Sequence, residues 1–202
     1  MFLKVCIFDE LLCIHALMTE ESHPLEPFLP QNATILFLGS FPPPRARWSM
    51  DFFYPNFNND FWQVMGLIHF QDARHFVAKD GKHFNYDSVL EFCNKSGLAF
   101  YDTAIKVRRL KDNASDAFLE ILEPTDVGAL LSRLPECHTV VTTGGKASEQ
   151  FGELIGIASP SPGCYMDVQA FGQKLRWWRM PSTSRAYPLP LAAKAEAYAQ
   201  LW

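Results

Sequence analysis

The chain has 202 residues, 48% of them hydrophobic and 20% charged, with a formal net charge of −4. That length and balance fit one well-buried soluble domain and argue against a disordered chain or a nonspecific polyanion binder. Five cysteines (Cys6, Cys13, Cys93, Cys137, Cys164) stand far apart without a CxxC spacing, which argues against a zinc site, an iron–sulfur cluster or a secreted disulfide framework and for a reducing, cytoplasmic compartment.

In chain order, residues 1–17 form an apolar run that Asp9 and Glu10 interrupt, too short and too charged to cross a membrane. It reads as a terminal strand or helix, or as an upstream extension with Met18 as the functional start. Residues 1–31 are therefore set apart as a peripheral segment, and residues 32–202 are taken as the domain. Continuous apolar runs at 34–39, 98–102, 138–143 and 175–180 predict strands. Helical patterns fall at 61–68, 86–95, 126–134, 146–155 and 191–202. A hairpin is an option at 165–180, with its turn at Gly172-Gln173-Lys174. Alternation of strand and helix implies a three-layer α/β/α sandwich around a central, mainly parallel four-stranded sheet. Basic residues gather at Arg45/Arg47, at 106–111 and at 174–185, while five acids lie in the first 26 residues. A local basic face on an acidic chain is the expectation.

Segments that carry chemistry follow the strands, where a parallel sheet places its site. After the first strand come Gly39, Ser40, Phe41 and three prolines, Pro42 to Pro44, then Phe52, Phe53, Tyr54 and the sequence Asn59-Asp60-Phe61-Trp62. Aromatic faces beside amides suit a flat heterocycle, which stacks while the amides read its edge. Asn59 also stands where a helix N-cap belongs. Asp102 ends the second strand. Gly144, Gly145 and Lys146 open a helix whose N–H groups attract phosphate, and Ser182, Ser184 and Arg185 follow the last strand. No HExxH, Walker or Gly-x-Ser-x-Gly pattern occurs, and no metal or cofactor is expected.

Over residues 32–202 these segments together resemble the uracil-DNA glycosylase superfamily, most closely its hypoxanthine-DNA glycosylase and mismatch-specific branch. Gly39-Ser40-Phe41-Pro42 stands for the first motif, with Phe41 where mismatch-specific members carry a catalytic Asn. The hypoxanthine branch uses an Asn ahead of a Phe-Trp pair, which selects Asn59 here; anchoring on Pro55 points to Asn56 instead, and Asn58 lies between. 180–185 resembles the second motif, with Met180 in place of a His. The resemblance implies a monofunctional DNA glycosylase, a monomer acting on DNA with a damaged or mismatched base and with no membrane partner. Asn59 is then catalytic; Gly39, Ser40, Phe41, Pro42, Phe52, Phe53, Tyr54 and Asp102 form the base pocket; Gly144, Lys146, Ser182, Ser184 and Arg185 hold DNA. Loss of both motif catalysts leaves open a lesion-binding protein without activity.

Overall fold

The computed structural model describes residues 19–110 and 116–202; the expectations for residues 1–17 and for Lys111 lie outside them. The elements run β1 (Thr19–Ser22), β2 (Ile35–Gly39), α1 (Phe61–Phe70), α2 (Tyr86–Lys95), β3 (Leu98–Asp102), β4 (Ala104–Arg109), β5 (Leu119–Pro124), α3 (Val127–Ser132), β6 (Thr139–Thr143), α4 (Gly145–Ile155), β7 (Cys164–Ala170), β8 (Gln173–Met180) and α5 (Leu191–Ala199).

β2 and β3 are buried at every position, as strands must be when helices cover both faces of a parallel sheet. The central sheet has the order β3-β2-β6-β8-β7. Its first four strands are parallel. The expected four-stranded sheet is thus corrected to five, because β7 returns antiparallel to β8. The reversal takes place at Phe171 (φ 52°) and Gly172 (φ 77°), the paired left-handed residues of a tight two-residue hairpin. Phe37 of β2 faces Phe100 of β3 in register, their rings stacked at 5.3 Å. Phe61 stands edge-on to both rings and Trp62 beside Phe100; Phe61, Trp62 and, in contact with each other, Phe151 and Trp177 are fully buried.

A second, antiparallel sheet of order β1-β4-β5 stands beside the first and was not expected. Thr103 alone separates β3 from β4, so the chain leaves one sheet and enters the other at a single corner. Its backbone is fixed there: the Thr103 N–H donates to the Gly39 carbonyl at 2.8 Å, and the Thr125 hydroxyl donates to the Asp102 carbonyl at 2.7 Å. Of the segment set apart at the N-terminus, the part from Thr19 onward supplies β1, and Phe28 bridges to Phe100 of β3. Gly39 pairs with Asp102, and Thr143 pairs with Met180. The carboxyl ends of all four parallel strands therefore align along one edge, where open α/β sheets bind ligands.

Candidate functional site

A cleft of about 670 Å³ opens at that edge. Its buried lining includes Gly39, Pro42, Phe53, Asp102 and Thr183, and its exposed rim includes Arg47, Tyr187 and Pro188. Gly39 is required by close approach: a Cβ there would stand 2.3 Å from Oδ1 of Asp102. The other oxygen, Oδ2, lies 2.9 Å from Nε2 of His23. A carboxylate only accepts, so Nε2 carries the shared hydrogen. The His23 Nδ1 lies 3.2 Å from the Leu25 N–H and 2.8 Å from the Leu25 carbonyl. The His23 side chain is 2% exposed and touches the rings of Phe41, Phe53 and Tyr101.

Asn59 lies in the cleft at the start of α1. Its N–H donates to the Asn56 carbonyl at 2.8 Å, and its Oδ1 accepts from the Phe61 N–H at 2.9 Å. The N-cap is Asp60, whose side chain makes no cap bond because it is spent on Arg185 and Lys194; Asn59 stands one residue earlier than its sequence position suggests and closes a turn onto the first helical residue. One lone pair of its amide oxygen and both amide hydrogens remain without a partner among the described residues. A bridge pairs Asn59 with Ser184, and the Asp60 N–H donates to the Thr183 carbonyl at 2.9 Å, which joins the start of α1 to the 182–185 loop. Asn56 also lines the cleft, with its Oδ1 accepting from the Asn58 N–H. Asn58 is exposed and outside the lining.

Tyr54 takes the left-handed conformation (φ 52°), a strain that persists only where neighbours over-determine it. Here the neighbours are Phe61, stacked at 3.8 Å, and Thr143, hydrogen-bonded to the phenol at 2.9 Å. Burial pushes that phenol well above its ordinary pKa. Phe53 and Tyr54 line the cleft, whereas Phe52 packs in the core among Phe28, Trp62 and Phe100. Phe41 lines the cleft and rests against Ala104, Val107 and Leu119 of the second sheet. Arg109 lies over its ring at 5.7 Å and donates to the Pro42 carbonyl at 2.7 Å, while the Trp48 indole donates to the Pro43 carbonyl at 2.7 Å. The proline loop is therefore braced from two sides. The Ser40 hydroxyl donates to Asp116 at 2.7 Å, and both line the cleft.

Ser182 and Ser184 line the cleft beside Thr183, each hydroxyl accepting from a backbone N–H two residues on. Gly144 (φ 91°) packs on Ser182, where an added Cβ would meet the serine Cβ at 3.4 Å. Gly144 and Lys146 are outside the lining. Arg185 bonds Asp60 at 3.0 Å and Asn58 at 3.1 Å with its side chain 48% exposed. The other oxygen of Asp60 holds the buried Lys194 at 2.8 Å, and Lys194 also donates to the Ser184 carbonyl at 2.9 Å. Met180 is fully buried in the core, away from the cleft.

His23, Leu25 and Asp116 join or back the site without a signal in the sequence, whereas Arg47, Thr143 and Thr183 stand in stretches the sequence already marks, a basic pair, a strand end and the loop after the last strand. His23 meets Asp102 across 79 residues, and only the corner between the two sheets brings them together. The basic cluster at 106–109 does not form a free basic face. Lys106 and Arg108 pair with Glu20, Arg108 also with Glu120, and Arg109 with Glu21.

No known family model matches the chain, and no curated protein matches it. Among solved structures, the chain is similar to a protein of Methanosarcina acetivorans, determined by solution NMR, whose name as a uracil DNA glycosylase is provisional. The identity is 19%, the TM-score 0.59, and the match covers 91% of this chain and 98% of the other. The two share a fold, which in this chain is a mainly parallel sheet flanked by helices.

Proposed function

We propose that the chain is a monofunctional DNA glycosylase, a cytoplasmic monomer needing no cofactor, that hydrolyses the N-glycosidic bond of a deaminated base, hypoxanthine or uracil, extruded from DNA. The observation that carries this reading is the convergence on one cleft of Asn59, the Gly39–Pro43 loop and the Ser182–Ser184 loop. Its volume of about 670 Å³ is that of a small-molecule site, enough for a base with part of its sugar. The shared fold with a provisionally named glycosylase points the same way.

In this reading the base enters between the proline loop and the 53–59 segment, which replaces the stacking lost on extrusion. As the bond breaks, positive charge grows on the sugar and negative charge on the base. The free lone pair of the Asn59 oxygen accepts a hydrogen from the attacking water and aims its oxygen at the anomeric carbon. No lysine lines the cleft among the described residues, so water rather than an amine is the nucleophile. Exposed Arg47 at the rim, with Ser182, Ser184 and the half-exposed Arg185, meets the backbone.

The test is base release from duplexes carrying hypoxanthine, xanthine or uracil, read as strand scission after alkali. Hypoxanthine release equal to or above uracil release is expected. Tight lesion binding without release would favour a binding protein on the same scaffold. Hydrolysis of free inosine in preference to the duplex would reassign the cleft to nucleosides, and neither binding nor release would sink the reading.

A further inference from the structure

Breaking the glycosidic bond of a purine leaves electrons on a ring that already holds a lone pair at N7, and a proton delivered there lets the base depart neutral. The group that delivers it must line the cleft, hold its proton near neutral pH and keep an atom free to reach a ligand. Among the described residues no histidine lines the cleft. The Tyr54 phenol is spent on Thr143, and burial holds it far above its ordinary pKa. Asp102 is spent on His23 through Oδ2. Asp116 remains. It opens the short turn Asp116–Phe118 that leads into β5, and the Leu110 N–H fixes that turn by donating to the Phe118 carbonyl at 2.9 Å. Its Oδ1 accepts from the Ser40 hydroxyl at 2.7 Å across 76 residues. Its Oδ2 makes no hydrogen bond among the described residues.

We propose that Asp116, oriented by Ser40, is the general acid of the cleft: its Oδ2–H protonates N7 of the extruded hypoxanthine as the bond to the sugar breaks. This rests on the reading that the cleft hydrolyses an extruded base. The C1′–N9 electron pair passes into the imidazole ring, and the base leaves neutral with hydrogen on N7. The attacking water gives its oxygen to C1′ and its spare proton to solvent, and solvent reprotonates Asp116 at the open cleft. Three charged groups face the carboxyl among the described residues: Asp102 of β3, Lys146 of α4 and Arg109 of β4. Loss of hydration among the surrounding groups raises its pKa above the ordinary carboxylate value, and the Asp102 charge adds to the rise, while the Ser40 bond and the two cations oppose it. Asp116 is exposed in the free chain; a duplex seated on the cleft strips more water from it and brings phosphates near, which raises it further. Two carboxylates in one cleft, one bound to a histidine and one not, are thereby set to different tasks. Uracil has no ring nitrogen with a lone pair, because N1 holds the sugar and N3 holds hydrogen. An acid at this place therefore favours hypoxanthine over uracil.

The test measures single-turnover release of hypoxanthine and uracil by the wild-type chain, Asp116→Asn and Asp116→Glu, each first shown to melt cooperatively and to bind a lesion duplex. Asp116→Asn still accepts from Ser40 but has no acidic proton. Its hypoxanthine release should fall at least ~10²-fold and its uracil release by less than about threefold. Asp116→Glu, which keeps the acid, should recover part of the rate. Hypoxanthine release by wild type should decline as pH rises through the carboxyl's pKa in the complex, and that decline should vanish in Asp116→Asn. A duplex carrying 7-deazahypoxanthine, with C–H in place of N7, tests the wild type alone. It should bind as the hypoxanthine duplex does, with its base released at least ~10²-fold more slowly. Three results would each overturn the proposal and leave the glycosylase reading standing: hypoxanthine release by folded Asp116→Asn within about threefold of wild type, an equal loss on uracil, or wild-type release of 7-deazahypoxanthine at the hypoxanthine rate. Failure of the wild type to release any base would overturn both.

Discussion

Asn59 carries two roles that ordinary substitutions would confuse. Its oxygen accepts the Phe61 N–H at 2.9 Å, and the rest of its amide faces the cleft. Replacement by Ala removes both, and loss of one such side-chain-to-backbone hydrogen bond alone costs about 1 kcal/mol. Replacement by Ser keeps an acceptor at the helix start while withdrawing the reach into the cleft. Asn59→Ala and Asn59→Ser are both expected to lower single-turnover base release by at least ~10²-fold with lesion-DNA affinity retained. Only Asn59→Ala should also lower the unfolding midpoint in urea. Rate loss that tracks stability across the two variants would make Asn59 a turn residue and nothing more. The residue scale also shows why an acidic site was half legible. Asp102 can be placed at a strand end from its local sequence, but its orientation depends on His23, which no local pattern connects to it.

At the scale of elements, the start of α1 and the 182–185 loop are held together by one buried ionic knot. Lys194 of α5 is wholly buried, and its ammonium joins Asp60 at the start of α1 to the Ser184 carbonyl. Removing one partner of a buried pair strands the other, which is where the cost lies. Lys194→Met should therefore lower stability by about 3 kcal/mol in urea unfolding, the low end for such a loss, because Arg185 still faces Asp60. Base release should fall with it, since Ser184 loses its anchor. A double variant, Lys194→Met with Asp60→Asn, should recover part of the stability. The parallel strands were legible because burial on both faces leaves continuous apolar runs closed by Gly39 and Asp102. The second sheet was not. β1 reads Thr-Glu-Glu-Ser with no apolar face, and it is a strand because Glu20 lies opposite Arg108. In β4 the buried positions Ala104, Val107 and Arg109 are interleaved with the half-buried cations Lys106 and Arg108, and the run reads as a basic patch.

For the whole molecule, the same pairing decides how the chain meets a polyanion. With a net charge of −4, attraction to DNA must come from cations that the fold leaves uncommitted. Lys106 and Arg108 are matched by Glu20 and Glu120, and Arg176 by Asp167. Arg47 at the cleft rim and Lys146 in the first turn of α4 have no ion-pair partner among the described residues, and Arg185 keeps half its surface open. Three phosphate contacts at ~0.9 counterion each give a log–log salt slope of about −2 to −3 for lesion-duplex affinity. Arg47→Ala together with Lys146→Ala should flatten that slope by about two units. Neutralising Lys106 and Arg108 together should leave the slope where it was, because their charges already face carboxylates. A wild-type slope beyond about −6 would mean that the ion pairs of the second sheet open to meet the duplex. The acids of the N-terminal segment would then act as a displaceable cover over that basic strand rather than as its permanent partners.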